Sequence, residues 1–184
     1  MKTIQVKAVM IAIKDYATVP ETATMLDAVM ALEKAQAEFD QSRYRHRAIL
    51  VYNDQNQVVG KISQLDLLKA LEPKYDQMLD AKALSRTGYS RDYLEAFTHV
   101  GFWNKPLDDI CRKAASMAVK SFMYTPDKGE FISEDAELNE AVHRLIIGKH
   151  HSLLVTRGGD IVGVLRLTDV FKLVCERIKA CQSG

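Results

Sequence analysis

Val6-Lys7-Ala8-Val9-Met10 reads position for position onto Val119-Lys120-Ser121-Phe122-Met123, and this pairing at an offset of 113 residues organises the whole chain. Self-similarity at a fixed offset is the signature of a repeated structural unit. In the same frame Glu21 meets Glu134, Ala23 meets Ala136, Ala28 meets Ala141 and Val29 meets Val142, with Val19/Ile132, Met25/Leu138 and Asp27/Glu140 as conservative pairs. Further on, Ile49-Leu50-Val51 lies over Leu153-Leu154-Val155, Gly60 over Gly163, Asp66 over Asp169 and Lys69 over Lys172. By Gly60 the offset has fallen to 103, so the first copy carries about ten extra residues. Around Lys34 to Tyr44 they most simply lengthen its first helix by roughly three turns.

Each copy has the same grammar. A short extended piece (Thr18-Val19; Phe131-Ile132) leads into an amphipathic helix, capped by Thr22 in copy one and by Asp135 in copy two. Met25, Val29, Leu32 and Phe39 form the apolar stripe of the first; Leu138, Val142, Leu145 and Ile146 form that of the second. A hairpin follows, Ala48 to Tyr52 turning through Asn53-Asp54-Gln55-Asn56 into Val58 to Ile62, and Leu153 to Val155 turning at Arg157-Gly158-Gly159-Asp160 into Ile161 to Leu165. A second helix closes each copy, Leu65 to Leu71 and Thr168 to about Ile178. The predicted order is strand, helix, strand, strand, helix, twice over. A unit of about 60 residues buries too little surface to stand alone, so the two copies are expected to pack on each other. The organisation is repeat 1 over 1–72, a helical insert over 73–116 and repeat 2 over 117–184. Within the insert, Tyr75 to Leu84, Ser90 to Phe97 and Leu107 to Met117 read as short helices.

Composition narrows the function. The chain has 184 residues, 47% of them hydrophobic, with a formal net charge of +1, which argues against a dedicated nucleic-acid or membrane-surface binder. Cys111, Cys175 and Cys181 form no CxxC pair, and with no signal peptide or membrane span in the sequence the expected compartment is the cytoplasm. His143, His150 and His151 lack partners at metal-ligand spacing, so no metal is expected. No Ser-His-Asp order, nucleophile elbow, phosphate loop or dinucleotide fingerprint is present, and no catalytic residue is assigned.

With the repeat established, the chain resembles the CBS domain family, named for cystathionine β-synthase, whose members occur as tandem pairs called Bateman modules. The resemblance is carried by Val-Lys-x-x-Met, by Glu-x-Ala at the first helix, by the apolar hairpin, and above all by Gly60-Lys61-Ile62-Ser63-Gln64-Leu65-Asp66. The second copy gives Gly163-Val164-Leu165-Arg166-Leu167-Thr168-Asp169, with Arg where the family usually has Ser or Thr. It does not extend to the insert. It implies an α/β module of two pseudo-symmetric repeats, a homodimer formed through its helices, and a regulatory ligand such as AMP, ADP, ATP or S-adenosylmethionine in clefts between the repeats, with no cofactor required. By the same resemblance Ser63 and Asp66 serve one cleft and Arg166 and Asp169 the other, with Met10, Val19, Met123 and Ile132 on the adenine side.

Each candidate has a plainer reading. Ser63 with Asp66 is also a helix capping box. Arg166 is a poor cap, because a cation at a helix start opposes the dipole; a phosphate there would explain it, and the plainer readings are an Arg pointing into solvent or one paired with an acid such as Asp169. In the run Arg43-Tyr44-Arg45-His46-Arg47, Arg47 or His46 reaches ligand phosphates, while Arg43 and Arg45 read as solvated. The function expected is ligand sensing with signalling to an unknown regulated partner. The alternative is a ligand-free module for dimerisation and protein interaction, with Phe97, Phe102 and Trp103 of the insert as a docking surface.

Overall fold

A computed structural model describes residues 4–38, 44–72 and 106–182. Its elements follow the duplicated order. In the first half a 3-10 turn at Val6–Ala8 precedes β1 (Ile11–Ala12), then β2 (Thr18–Pro20), α1 (Met25–Glu38), β3 (Ala48–Tyr52), β4 (Val58–Ser63) and α2 (Gln64–Ala70). After α3 (Leu107–Ala115), a matching 3-10 turn at Val119–Ser121 leads to β5 (Phe131–Ser133), α4 (Leu138–Ile147), β6 (Ser152–Arg157), β7 (Asp160–Arg166) and α5 (Leu167–Gln182). The helices read at Tyr75 to Leu84 and Ser90 to Phe97, the residues Phe97, Phe102 and Trp103, and the end of the extended first helix at Phe39 lie outside the described residues.

Two small mixed sheets carry the structure. One has the order β2-β3-β4, the other β1-β7-β6-β5. β2 runs parallel to β3 and β5 parallel to β6, whereas the β3–β4 and β6–β7 hairpins are antiparallel. The tight turns explain the hairpin register. Asn53 Oδ1 accepts from the backbone N–H groups of Gln55 and Gln57, and Asn56 adopts φ 58°. Gly158 and Gly159 take φ 59° and 101°, conformations that glycine reaches without steric cost.

Ile49-Leu50-Val51 and Leu153-Leu154-Val155 are unbroken apolar runs because their strands are covered on both faces. Alternation sends Ile49 and Val51 to one core with Ala28 and Leu32 of α1, and Leu153 and Val155 to another with Ala141 and Leu145 of α4. The intervening Leu50 and Leu154 point the other way and meet in a third core, with Ile11, Tyr16 and Val164, that fastens sheet to sheet.

The opening segments are exchanged between the repeats. Val6 is fully buried in the core of repeat 2, and its equivalent Val119 is fully buried in the core of repeat 1. Val6 N–H donates to Ala136 O at 3.0 Å and Val119 N–H to Ala23 O at 2.9 Å. β1 pairs with β7 of repeat 2, Ile11 opposite Val164, while Tyr124 bridges to Lys61 of repeat 1. These are the same contacts at the two ends of a pseudo-twofold.

That exchange corrects both predicted caps. α1 is preceded by Thr24, whose hydroxyl accepts from Asp27 N–H at 3.2 Å while Asp27 accepts from Thr24 N–H at 2.8 Å; Thr22 takes no part. The turn closed by Ala23 N–H on Pro20 O carries the chain two residues further before the helix begins. α4 has no side-chain cap, and Asp135 pairs instead with Lys7 at 2.7 Å. The N–H of Leu138 is satisfied by the backbone carbonyl of Ile4, as that of Met25 is by Met117, both at 2.8 Å. The buried stripes are Met25, Ala28 and Leu32, and Ala141 and Leu145 with half-buried Leu138. Ile146, expected on the second stripe, is exposed because it lies one residue round the helix from Leu145.

Val6→Ala removes a side chain from the core of the opposite repeat. A loss of about 1–3 kcal/mol in unfolding free energy is expected for such a cavity, read as a lower urea midpoint, with Val119→Ala giving a loss of the same size. No change in either variant would refute the exchanged packing.

Candidate functional site

The duplicated motif places the same junction twice. At each, a hairpin strand ends and a helix begins, and the helix's first N–H is held by the segment that enters the hairpin. Gln64 N–H donates to Arg47 O at 3.2 Å and Leu167 N–H to His151 O at 2.9 Å. The two junctions face one cleft of about 650 Å³, to which both repeats contribute.

Among the predicted residues, Ser63, Asp66, Arg47 and Arg166 line this cleft. Asp169 is buried behind it. His46 is fully buried with its ring edge-on to Tyr16, centroids 4.6 Å apart. Val19 and Ile132 lie in the cores of their repeats. Met10 and Met123 pack beside Gly163 and Gly60, where an added Cβ would lie 3.0 Å and 2.6 Å from their sulfurs. Those four apolar positions are outside the cleft lining.

The motif acids differ in what holds them. Ser63 and Asp66 form a reciprocal cap: the Ser63 hydroxyl accepts from Asp66 N–H, and Asp66 Oδ2 accepts from Ser63 N–H at 2.8 Å and from its hydroxyl at 2.6 Å. Asp66 Oδ1 carries no partner among the described residues. Asp169 instead receives a fork from Arg166, Nε to Oδ2 at 2.5 Å and Nη2 to Oδ1 at 2.8 Å, and Arg166 Nη1 donates to Tyr44 O at 2.8 Å. Arg166 thus pairs with the acid three residues on, one of the readings open from sequence, and being buried it does not point into solvent.

Several lining residues were not legible beforehand. Lys61 of repeat 1 makes an ion pair with the buried carboxylate of Glu130 at the entry to β5. The Lys61 ammonium stands 5.1 Å from the centroid of the Tyr124 ring. A hydrogen bond to Glu130, followed by burial, pushes the Tyr124 phenol up to about 12. Burial pushes the Tyr16 phenol up to about 12 as well. Arg45, read as solvated, joins Arg47 and Lys149 on the cleft lining; all three are exposed and have no acidic partner among the described residues. His150 and His151 line the cleft too, and among the described residues no group of three His, Cys, Asp or Glu side chains is placed to hold a metal. No helix among the described residues is long and apolar enough to cross a membrane.

This architecture has relatives among solved structures. CBSX2, crystallised in complex with AMP, superposes with a TM-score of 0.57 at 17% identity, over 94% of this chain and 96% of that one. A CBS domain-containing protein of unknown function from Bacillus anthracis gives 0.59 at 18% identity, over 94% of each chain. MJ1004 from Methanocaldococcus jannaschii gives 0.58 at 19% identity; 94% of this chain is covered, but it spans only 60% of the length of that protein. No curated protein sequence matches the chain. The profile described as "CBS domain" matches twice, at residues 6–73 and 119–176. Both matches begin at the exchanged segments and run through the two Gly-to-Asp motifs that flank the cleft, and the chain belongs to the CBS domain family as a tandem pair of its repeats.

Proposed function

We propose that this tandem pair is a regulatory module that takes an adenosine phosphate in its inter-repeat cleft and passes the occupancy to a partner protein. The observation that carries the reading is the juxtaposition of Arg45, Arg47 and Lys149 with Asp66, the three cations and the Asp66 Oδ1 all being without a partner among the described residues. Cations at a cleft mouth suit phosphate, which arginine meets with a planar fork. A carboxylate oxygen inside accepts from a ribose hydroxyl. The cationic sulfonium of S-adenosylmethionine fits this lining less well. CBSX2, of the same fold, is a precedent as a complex with AMP. The reading gives the chain no catalytic step.

Calorimetric titration with AMP, ADP, ATP and S-adenosylmethionine tests it. Binding is expected to tighten with each added phosphate and to weaken with salt. At a hundredfold excess over Kd the ligand adds about 2.7 kcal/mol of stability, a rise of roughly 5–11 °C in Tm for a chain of this size. The absence of any heat or Tm shift at millimolar ATP would remove the proposal.

Dimerisation through the closing helices belongs to the same reading. Phe171, Val174 and Ile178 recur at helical spacing along one face of α5, and Leu65 and Leu68 do so on α2; all are substantially exposed. Phe171→Glu is expected to convert a dimer to a monomer by light scattering, and a wild-type chain that is already monomeric would refute the dimer.

A further inference from the structure

The two halves of the cleft descend from one motif but are held differently. In the half built on β4 and α2, Asp66 spends a single oxygen on Ser63, and the carboxylate lines the cleft. In the half built on β7 and α5, both oxygens of Asp169 are taken by Arg166, whose third nitrogen is tied to Tyr44 O. Both side chains of that fork are about nineteen-twentieths buried, at 6% and 5% exposure. Asp169 is outside the lining, whereas its equivalent Asp66 is within it. Beside the fork, Tyr16 and His46 are buried edge to face, and burial of the phenol is accompanied by the charges of Arg166 and Asp169.

A carboxylate recognises a ribose through lone pairs that are accessible. Among the described residues Asp66 retains them on Oδ1; Asp169 has given both oxygens to the Arg166 guanidinium, a cation that a ligand phosphate would otherwise meet. We infer that the pair is asymmetric: the half at Ser63 and Asp66 takes the nucleotide, and the Arg166–Asp169 fork acts as a resident substitute that closes the other half. This rests on the nucleotide reading above and goes beyond it in fixing the stoichiometry at one ligand per chain and in assigning the Arg166–Asp169 fork as the element that closes the second half.

The test is a count of bound ATP per chain by equilibrium dialysis at saturation, on the wild-type protein and on two variants whose folding is checked by thermal melting. One equivalent is expected for the wild type. Asp66→Asn, dialysed at the ATP concentration that just saturates the wild type, should bind at least thirtyfold more weakly and retain well under half an equivalent. Arg166→Ser rebuilds in the second half the hydroxyl–carboxylate cap of the first, and should raise the count from one to two. Two equivalents on the wild type overturn the asymmetry while leaving the nucleotide reading standing. So does a full equivalent retained by Asp66→Asn, which assigns the ligand to the other acid. A folded Arg166→Ser protein that still binds one equivalent removes the fork as the closing element; should that variant fail to fold, the wild-type count and Asp66→Asn decide alone. No binding by the wild type sinks the nucleotide reading and this inference with it.

Discussion

Gly163→Ala is expected to destabilise the protein by about 3 kcal/mol, at the upper end of overpacking costs, and to lower Tm by roughly 6–12 °C. A Cβ at Gly163 would lie 2.5 Å from the carbonyl oxygen of Ile11 and 3.0 Å from the sulfur of Met10. The first of these is backbone, held in β1 by its pairing with β7, and has nowhere to go. At the equivalent Gly60 the nearest atom is the Met123 sulfur at 2.6 Å, with the Tyr124 carbonyl at 3.3 Å. A methionine side chain can swing aside, so Gly60→Ala should cost only about 1 kcal/mol. Neither glycine has a positive φ, so the requirement is for close approach and not for backbone freedom. Equal losses at the two positions, measured by urea denaturation, would contradict this account.

The second large effect is expected at the buried fork. Arg166→Ala leaves the Asp169 carboxylate buried without its partner, a loss of about 3–5 kcal/mol, because an uncompensated buried charge is penalised more heavily than the intact pair is rewarded. Arg166→Ser should lose less than half of that. Its backbone N–H and hydroxyl can donate to Asp169 as those of Ser63 donate to Asp66 at 2.8 and 2.6 Å, and a cap of that kind contributes about 0.5–2 kcal/mol. Replacing both members, Arg166→Met with Asp169→Leu, should come back close to wild-type stability. Midpoints that fall in any other order would show that the fork is not what the surrounding core depends on.

The repeat was legible because its anchors are residues for which the geometry admits few substitutes. Val6 and Val119 fill one slot each in a foreign core, Met10 and Met123 pack on Gly163 and Gly60, and the two acids begin the closing helices. The hairpins were legible from Asn53 and from Gly158-Gly159, whose turn chemistry is local. The cap of α1 lay two residues from the expected one although Thr24 and Asp27 stand at the same spacing as Ser63 and Asp66, whereas the start of α4 carries no side-chain cap to read. The first N–H of each helix is met by the carbonyl of Met117 or Ile4, and a main-chain oxygen arriving from more than ninety residues away leaves no mark in the local sequence. The cleft divides in the same manner. Ser63 and Asp66 announce themselves at a spacing of three, while Lys61, Tyr124 and Glu130 become neighbours only when the repeats are assembled. Arg45 looked like the wet end of a helix because nothing in its own stretch reveals that its mirror position, Lys149, stands across the same opening.

The reciprocal insertion of Val6 and Val119 means that the halves of this molecule are clasped like two links. A protease nick made anywhere in 73–105 would sever the polypeptide, yet each piece would still hold the other's leading segment inside its own interior. Such a cut protein should migrate as one particle under native conditions and come apart only when it is unfolded.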